Sequence, residues 1–454
     1  MHTSSGIRAT MLAACLAFGV VQVDVSVVNV GLPQIGADFH ADVDELQWVI
    51  NGYALSFSAI LLIAGSWADL WGAKRVFNTG FALFVATSAG CAVAPGLPAL
   101  IAMRILQGFG AALMVPCALA LVRLGYEDPE ARRRALAVFG ACGGLGMGAG
   151  PVIGGMMISL WGWPSVFLLN VPIGLIAIGL ILRWGPATPA TPKRLRLSGQ
   201  LWIAMSIAAA CAAMTQASAQ GWGTQSAFMG IVAVFASGAF IWIERRSSAP
   251  LLPSRLIKNP QLLSMLIAGL SVNLTFFGMV FVLSLYFQNV LGYDASHAGF
   301  AFVPLTAILA ISSMASSHIG RWLDGKWIIL MGFSIEIVGF LAMARIDGAT
   351  SPIAVDVMLL LIGTGTAMAT PSIMNTMMSS VCTADAGIAS GIMSSSRQVG
   401  GVVGVALFAS LVGDGGSTMF LSGMSQAALI CASVLVICAG LALLARATAT
   451  PSPL

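Results

Sequence analysis

This sequence is poor in charge. Only 8% of its 454 residues are Asp, Glu, Lys or Arg, where a soluble chain carries about 25%. So few charges cannot cover a water-facing surface of this length, which excludes a soluble enzyme, a nucleic-acid binder and a disordered chain. Histidine is scarce too. The four, His2, His40, His297 and His318, stand far apart, and no HExxH pair occurs, which argues against a zinc hydrolase in the membrane. No GxxxxGK[ST] loop is present, so there is no basis for an ATP-driven pump. A repeated filter-like loop or a ring of charge, as a channel would need, is also missing. The eight cysteines include no CxxC pair. Seven lie inside apolar runs, with Cys382 in a loop, and they read as small buried hydrophobes.

Apolar residues fill the space. They make up 58% of the chain, and mean hydropathy is +0.93. Apolar runs of about 20 residues, enough to span a bilayer, recur fourteen times from 9–31 to 420–444. The weakest is the seventh, 200–217; the thirteenth is placed at 396–412. The first run is longer than the apolar part of a signal peptide, and no small-x-small site follows it, so it reads as a span. With the N-terminus inside and spans alternating, every Lys and Arg except Arg104 and Arg345 falls on the inner side. That asymmetry sets orientation and puts both termini in the cytoplasm. The first outer loop is acidic, with Asp38, Asp42, Asp44 and Glu45.

Gly-x-Trp-x-Asp occurs twice, from Gly65 and from Gly320, each time at the inner end of a span with basic residues following. This points to a duplication: a bundle over 1–184, a second over 261–454, and 185–260 between them holding inner linkers and two additional helices. Parallel repeats about an axis along the membrane normal suit one large transporter architecture.

Three ionisable residues lie well within spans: Asp24, Arg104 and Glu336. Intramembrane charge is costly and usually functional. Asp24 on the first span and Arg104 on the fourth fall at similar depths, roughly 8–11 Å below the outer edge at 1.5 Å per residue, so they are positioned to pair. A purely structural salt bridge is the competing reading. Arg397 and Asp356 are placed near span ends, within reach of water. In the fifth span, Gly140, Gly144 and Gly148 form one four-residue row and Gly146, Gly150 and Gly154 another, which favours close helix packing. Pro151 removes a helical hydrogen bond and invites a bend.

Several segments resemble the major facilitator superfamily, in its 14-helix drug:proton antiporter branch. GSWADLWGAKR resembles the signature of the loop after the second helix, with Gly65, Asp69, Gly72, Lys74 and Arg75 in matching places. RILQGFGAA from Arg104 resembles the helix 4 signature, and GLGMGAGPVIGG, with Gly146, Gly150, Pro151, Gly154 and Gly155, that of helix 5. VDVSVVNVGLP from Val23, the segment 285–304 and SRQVGGVVGVAL from Ser396 are also similar to that branch. Trp67 stands where Leu is usual, and Ser394 where Asn is common.

The resemblance implies an all-α polytopic membrane fold: two six-helix bundles with two additional helices between them, fourteen in all. It implies a proton-coupled exporter of amphipathic drugs or metabolites working by alternating access. A transporter dedicated to one metabolite or antibiotic is the nearest alternative. The expected partners are a small-molecule substrate, protons and the lipid bilayer, with no nucleic acid. No cofactor or metal is expected, the driving force being the proton gradient, and the chain is expected to act as a monomer in the cell membrane. Asp24, Arg104 and Glu336 are the candidates for proton coupling, and the 65–75 loop would be a conformational latch. Helix 5 would help seal or open one side. Asn29, Trp48, Asn51, Tyr53, Gln107, Asn273, Phe277, Tyr286 and Asn375 are the candidates for the substrate cavity.

Overall fold

The computed structural model describes residues 4–126, 128–188, 197–220, 223–247, 254–320, 322–347, 350–382, 386–412 and 416–444. The first elements are α1 (Ser4–Phe39), α2 (Val43–Trp71), α3 (Ala73–Ala92), α4 (Leu97–Gly125), α5 (Pro129–Trp161), the short α6 (Pro164–Leu168) and α7 (Asn170–Trp184). Next come α8 (Leu197–Gln220), α9 (Thr224–Arg245) and the single turn α10 (Ser254–Ile257). The chain ends with α11 (Pro260–Leu285), α12 (Ala295–Ala301), α13 (Val303–Ile319), α14 (Gly325–Met343), α15 (Pro352–Ser379), α16 (Ala386–Val412) and α17 (Gly416–Leu444). A π-helical turn, Tyr286–Val290, continues α11.

Twelve segments among the described residues are long and apolar enough to cross a membrane. α2 and α3 pack beside them. At 29 and 20 residues they reach the roughly 30 Å of a hydrocarbon core. Lys74 and Arg75 in the first turn of α3 lower its hydropathy. With these two, the fourteen crossing helices expected from the sequence are accounted for. Large apolar side chains such as Leu160, Leu175, Ile231, Phe235 and Ile437 stand exposed on the outside. In water such a surface would aggregate; in a bilayer it is the lipid-facing wall.

Local signals set the helix ends. Asn259 Oδ1 accepts from the backbone N–H groups of Gln261 and Leu262 (3.0 and 3.1 Å), ahead of Pro260 at the first helical position, where its missing N–H costs nothing. Gly72 joins α2 to α3 with φ +87°, and a Cβ there would stand 2.5 Å from the Thr188 carbonyl oxygen. Only glycine fits that turn.

Lipid offers no hydrophobic drive between helices, so close backbone packing has to hold them. The same device appears twice. A Cβ added at Gly80 would lie 2.8 Å from the Gly110 carbonyl oxygen, and one at Gly332 would lie 2.8 Å from that of Gly365. A Cβ at Gly110 would meet the Phe84 nitrogen at 2.8 Å, and one at Gly365 the Glu336 nitrogen at 2.7 Å. Lys74 Nζ donates to the carbonyls of Leu182 and Gly185 (3.2 and 3.0 Å), at the end of α7. Lys326 Nζ donates to that of Leu443 (3.0 Å), at the end of α17. The pairs 74/326, 80/332 and 84/336 share one 252-residue offset. The α3–α4–α7 packing thus recurs as α14–α15–α17.

α1 packs on α5 and α7, and α11 on α16 and α17. These two groups of helices meet where α2 runs against α16 and α5 against α12 and α13. α8 pairs with α9 and lies against both α2 and α16.

The thirteenth span begins ten residues earlier than the sequence reading placed it, at Ala386 rather than 396. In the helix, the Ser396 hydroxyl donates to the Leu266 carbonyl (3.0 Å) and that of Ser395 to the Ser58 carbonyl (3.3 Å). The serines are packing residues of a span, and Arg397 is not near its end.

Candidate functional site

Asp24 sits on α1 with no exposed surface. A carboxylate sealed from water needs a counter-charge and hydrogen bonds, and the neighbouring helices supply both. Arg104 Nη1, from α4, donates to Asp24 Oδ2 at 2.6 Å. Gln107 Nε2, one turn along α4, donates to Oδ1 at 3.0 Å, and Asn170 Nδ2, at the start of α7, at 2.8 Å. Ser88 Oγ on α3 accepts from Gln107 (2.6 Å) and Asn170 (3.1 Å). α4 and α7 thus donate to the carboxyl of α1, and α3 holds two of the donors through Ser88.

Arg104 has further holds of its own. Its Nε donates to the Val49 carbonyl on α2 (3.0 Å), its Nη1 to Gln107 Oε1 (2.7 Å), and its guanidinium lies 4.3 Å from the centre of the Tyr53 ring. The guanidinium therefore keeps partners when the charge on Asp24 is removed. This matters because an orphaned buried charge costs several kcal/mol, about 3–5. The Tyr53 hydroxyl and Asn170 Oδ1 are buried with no hydrogen-bond partner. The cluster has spare donors and acceptors with which to rearrange.

Glu336 lies elsewhere, on α14, also fully buried. Thr275 Oγ1 of α11 donates to its Oε1 (3.2 Å), while its Oε2 has no partner. No cation pairs with it among the described residues. It is not part of the Asp24 cluster.

The glycines of α5 divide by face. Gly146, Gly150 and Gly154 press on α1, against Gly19, Ser26 and Val27. On the other side, Gly148 faces Thr306 of α13, Gly155 faces Ala295 of α12, and Gly299 of α12 lies against the Pro151 carbonyl. A Cβ added at Gly140 or Gly144 would meet nothing within 4 Å. One row of the expected pattern is a packing seam. Of the other row only Gly148 is in contact.

The expected loop over 65–75 is almost entirely helical: α2 continues to Trp71, Gly72 alone makes the turn, and α3 starts at Ala73, because a single glycine suffices to reverse the chain; the side chain of Asp69 lies outside the described residues. Gly65 has no neighbour within 4 Å of an added Cβ, Arg75 is exposed, and the backbone N–H of Lys74 donates to Thr188 Oγ1 (3.0 Å).

The nine cavity candidates have different surroundings. Tyr53 and Gln107 belong to the Asp24 cluster. Asn51 is buried and donates to Thr215 Oγ1 of α8 (3.1 Å). Trp48 borders a pocket of ≈ 440 Å³ between α2, α8 and α9. Asn29 Nδ2 donates to the Val25 carbonyl of its own helix (3.0 Å), and the Asn29 carbonyl accepts from Ser284 Oγ of α11 (2.5 Å). Tyr286 is buried against Phe287, Phe277 stands edge-on to Phe276 and beside Gly401, and Asn375 is exposed. Asn273 Oδ1 accepts from Arg397 Nε (3.2 Å).

Sequence reasoning missed Asn170, Ser88 and Arg397. The first two look like ordinary polar residues in apolar runs, and only the fold carries them to Asp24. Arg397 had a visible signal, a charge followed by an apolar run.

The Major Facilitator Superfamily profile matches residues 14–405. The chain is 30% identical over 403 residues to the methylenomycin A resistance protein of Streptomyces coelicolor, covering 88% of this chain and 84% of that protein. It is 31% identical over 405 residues to the multidrug resistance protein Stp of Mycobacterium tuberculosis, covering 89% and 75%. With the cephamycin export protein CmcT of Amycolatopsis lactamdurans it shares 34% over 433 residues, covering 91% and 87%. A polytopic helical bundle with a duplicated packing core, matched over most of its length, places the chain in the major facilitator superfamily.

Proposed function

We propose that this protein is a proton-coupled secondary active exporter of amphipathic drugs or metabolites, working by alternating access and not as an enzyme. The observation that carries the reading is the sealed Asp24–Arg104 pair with Gln107 and Asn170 on the same carboxyl. A proton on Asp24 removes the charge attraction while Arg104 keeps Val49, Gln107 and Tyr53. The pair can therefore open without stranding a cation. Four helices then lose or regain a common fixed point. A proton and a cargo that favour different arrangements of those helices exchange against each other, which is what antiport requires.

The duplicated packing supports two moving bundles, 1–184 and 261–454, with 185–260 between them. The α5 seam, where Pro151 and Gly155 meet α12, is the surface along which they part. The α2–α3 junction over 65–75 acts as the latch on the inner side, with both termini in the cytoplasm and the monomer embedded in the cell membrane. The relatives are named for export of, or resistance to, drugs and antibiotics, which supports export over import. Those named for one compound, methylenomycin A or cephamycin, keep a dedicated exporter as the second reading.

The test is transport in inverted membrane vesicles with an imposed pH gradient, screened over cationic dyes and antibiotics. Uptake that follows the gradient and collapses with a protonophore supports the reading. Uptake indifferent to the gradient refutes proton coupling.

A further inference from the structure

We propose that Cys15 of α1 and Cys142 of α5 form a dithiol modification site, which a membrane-soluble disulfide closes into a bridge between the two helices. The helices run side by side in one register. A Cβ added at Gly146 would stand 3.2 Å from Gly19 Cα, one at Gly150 3.2 Å from the Val23 carbonyl oxygen, and one at Gly154 3.3 Å from Val27 Cα. Each of these pairs is offset by 127 residues. One turn nearer the start of both helices, the next pair with that offset is Cys15 and Cys142. The glycines let the two backbones touch, and the contact extends to this rung: a Cβ at Gly19 would lie 3.6 Å from the Cys142 carbonyl oxygen. One of the two thiols donates a hydrogen bond to the other. A disulfide needs Cα atoms within about 7 Å and side chains that point together. The seam supplies the first condition and the thiol contact the second.

Both thiols are only half-buried, whereas Cys91, Cys117, Cys211, Cys431 and Cys438 are buried, where thiols are inert. Cys15 lies seven residues beyond the exposed Arg8, and Cys142 eight beyond the exposed Arg134. Both therefore sit roughly 11–12 Å past the water-facing ends of their helices at 1.5 Å per residue. That depth selects an uncharged reactant, because charge is costly there. The thiolate of one cysteine attacks a sulfur of the reactant's disulfide, forming a mixed disulfide and expelling one reactant thiolate. The second cysteine then attacks the protein sulfur of the mixed disulfide, closes the bridge and expels the other reactant thiolate. Two protein thiols are oxidised, one disulfide is reduced to two thiols, and the two protons pass to those thiols. The bridge joins helices already in contact, and it pins the helix that carries Asp24 to the one that carries Pro151.

The experiment treats the purified full chain in detergent micelles with dipyridyl disulfide, which is uncharged. Remaining thiols are capped with N-ethylmaleimide, and peptides are mapped by mass spectrometry without reduction. Wild-type protein should yield a Cys15–Cys142 crosslinked peptide with no pyridyl group on either residue, and dithiothreitol should split it. In Cys142→Ser, Cys15 should keep a pyridyl mixed disulfide; in Cys15→Ser, Cys142 should keep one. Each variant decides without the other, which covers the case in which one does not fold. Stable pyridyl adducts on both wild-type cysteines without a crosslink overturn the inference. So do two unreacted thiols, or a crosslink from either to a different cysteine. Glutathione disulfide, which is charged, should form the bridge at least about tenfold more slowly; an equal rate would overturn the choice of a membrane-soluble reactant.

Discussion

Glu336 occupies in α14 the place that Phe84 occupies in α3, each with its backbone nitrogen under the glycine of the next helix, Gly365 and Gly110. A carboxyl therefore replaces a phenyl ring in an otherwise repeated packing unit. Its surroundings offer it a threonine hydroxyl but no counter-charge, which a neutral amide can match. Glu336→Gln should leave gradient-driven transport within about twofold of wild type, since hydrogen bonding and volume are kept. A loss of proton coupling in this variant, with the fold intact, would move the coupling carboxyl to α14.

The α5 glycines should separate by face. Gly150→Val drives a side chain into Ser26 of α1 and should cost on the order of 1–3 kcal/mol through overpacking. It should be visible as a lowered melting temperature in detergent. Gly144→Ala meets nothing within 4 Å and should melt like the wild type. Equal melting of both variants would show that the α1–α5 approach is not tight.

The two lysine caps predict an additive pair. Lys74→Met frees the carbonyls of Leu182 and Gly185, and Lys326→Met that of Leu443. Each loss should cost about 1 kcal/mol. The two sites share no partner, so the double variant should show the sum of the two shifts. Strong non-additivity in a thermal melt would mean that the caps communicate.

Arg104→Lys should be milder than Arg104→Ala. Lysine restores the charge beside Asp24 but cannot hold Val49 and Gln107 together as the guanidinium does. Alanine leaves Asp24 buried with amides alone. Transport rates should rank wild type, Lys, Ala; a reversed order for Lys and Ala would exclude the ion pair as the working element.

Much of this was legible in the sequence because bilayers impose strict rules. Apolar length, the Lys and Arg asymmetry and the recurring Gly-x-Trp-x-Asp come straight from the chain. The depth of Asp24 and Arg104 follows from 1.5 Å per residue. What was not legible depends on which face of a helix turns where. Asn51 and Trp48 read as cavity residues by type, yet they face α8 and the α8–α9 pocket, because the additional hairpin lies against α2. Asn170 sits where α6 gives way to α7, two residues before Pro172; nothing in its neighbours announces that this break aims it at Asp24. Arg397 was misplaced because the packing of Ser395 on α2 and of Ser396 on α11, which makes the preceding residues part of the span, shows only in the fold.

The central claim is that Asp24 carries the exchanged proton. Asp24→Asn keeps the size of the side chain and fixes it neutral. The measurement is substrate-induced proton release from the purified protein, followed with a pH indicator in weak buffer alongside transport in vesicles. Wild-type protein should release protons on adding a transported cation. The Asp24→Asn variant should stay folded, release none, and lose at least about tenfold in gradient-driven export. An Asp24→Asn protein that still releases protons and exports at the wild-type rate would contradict the account.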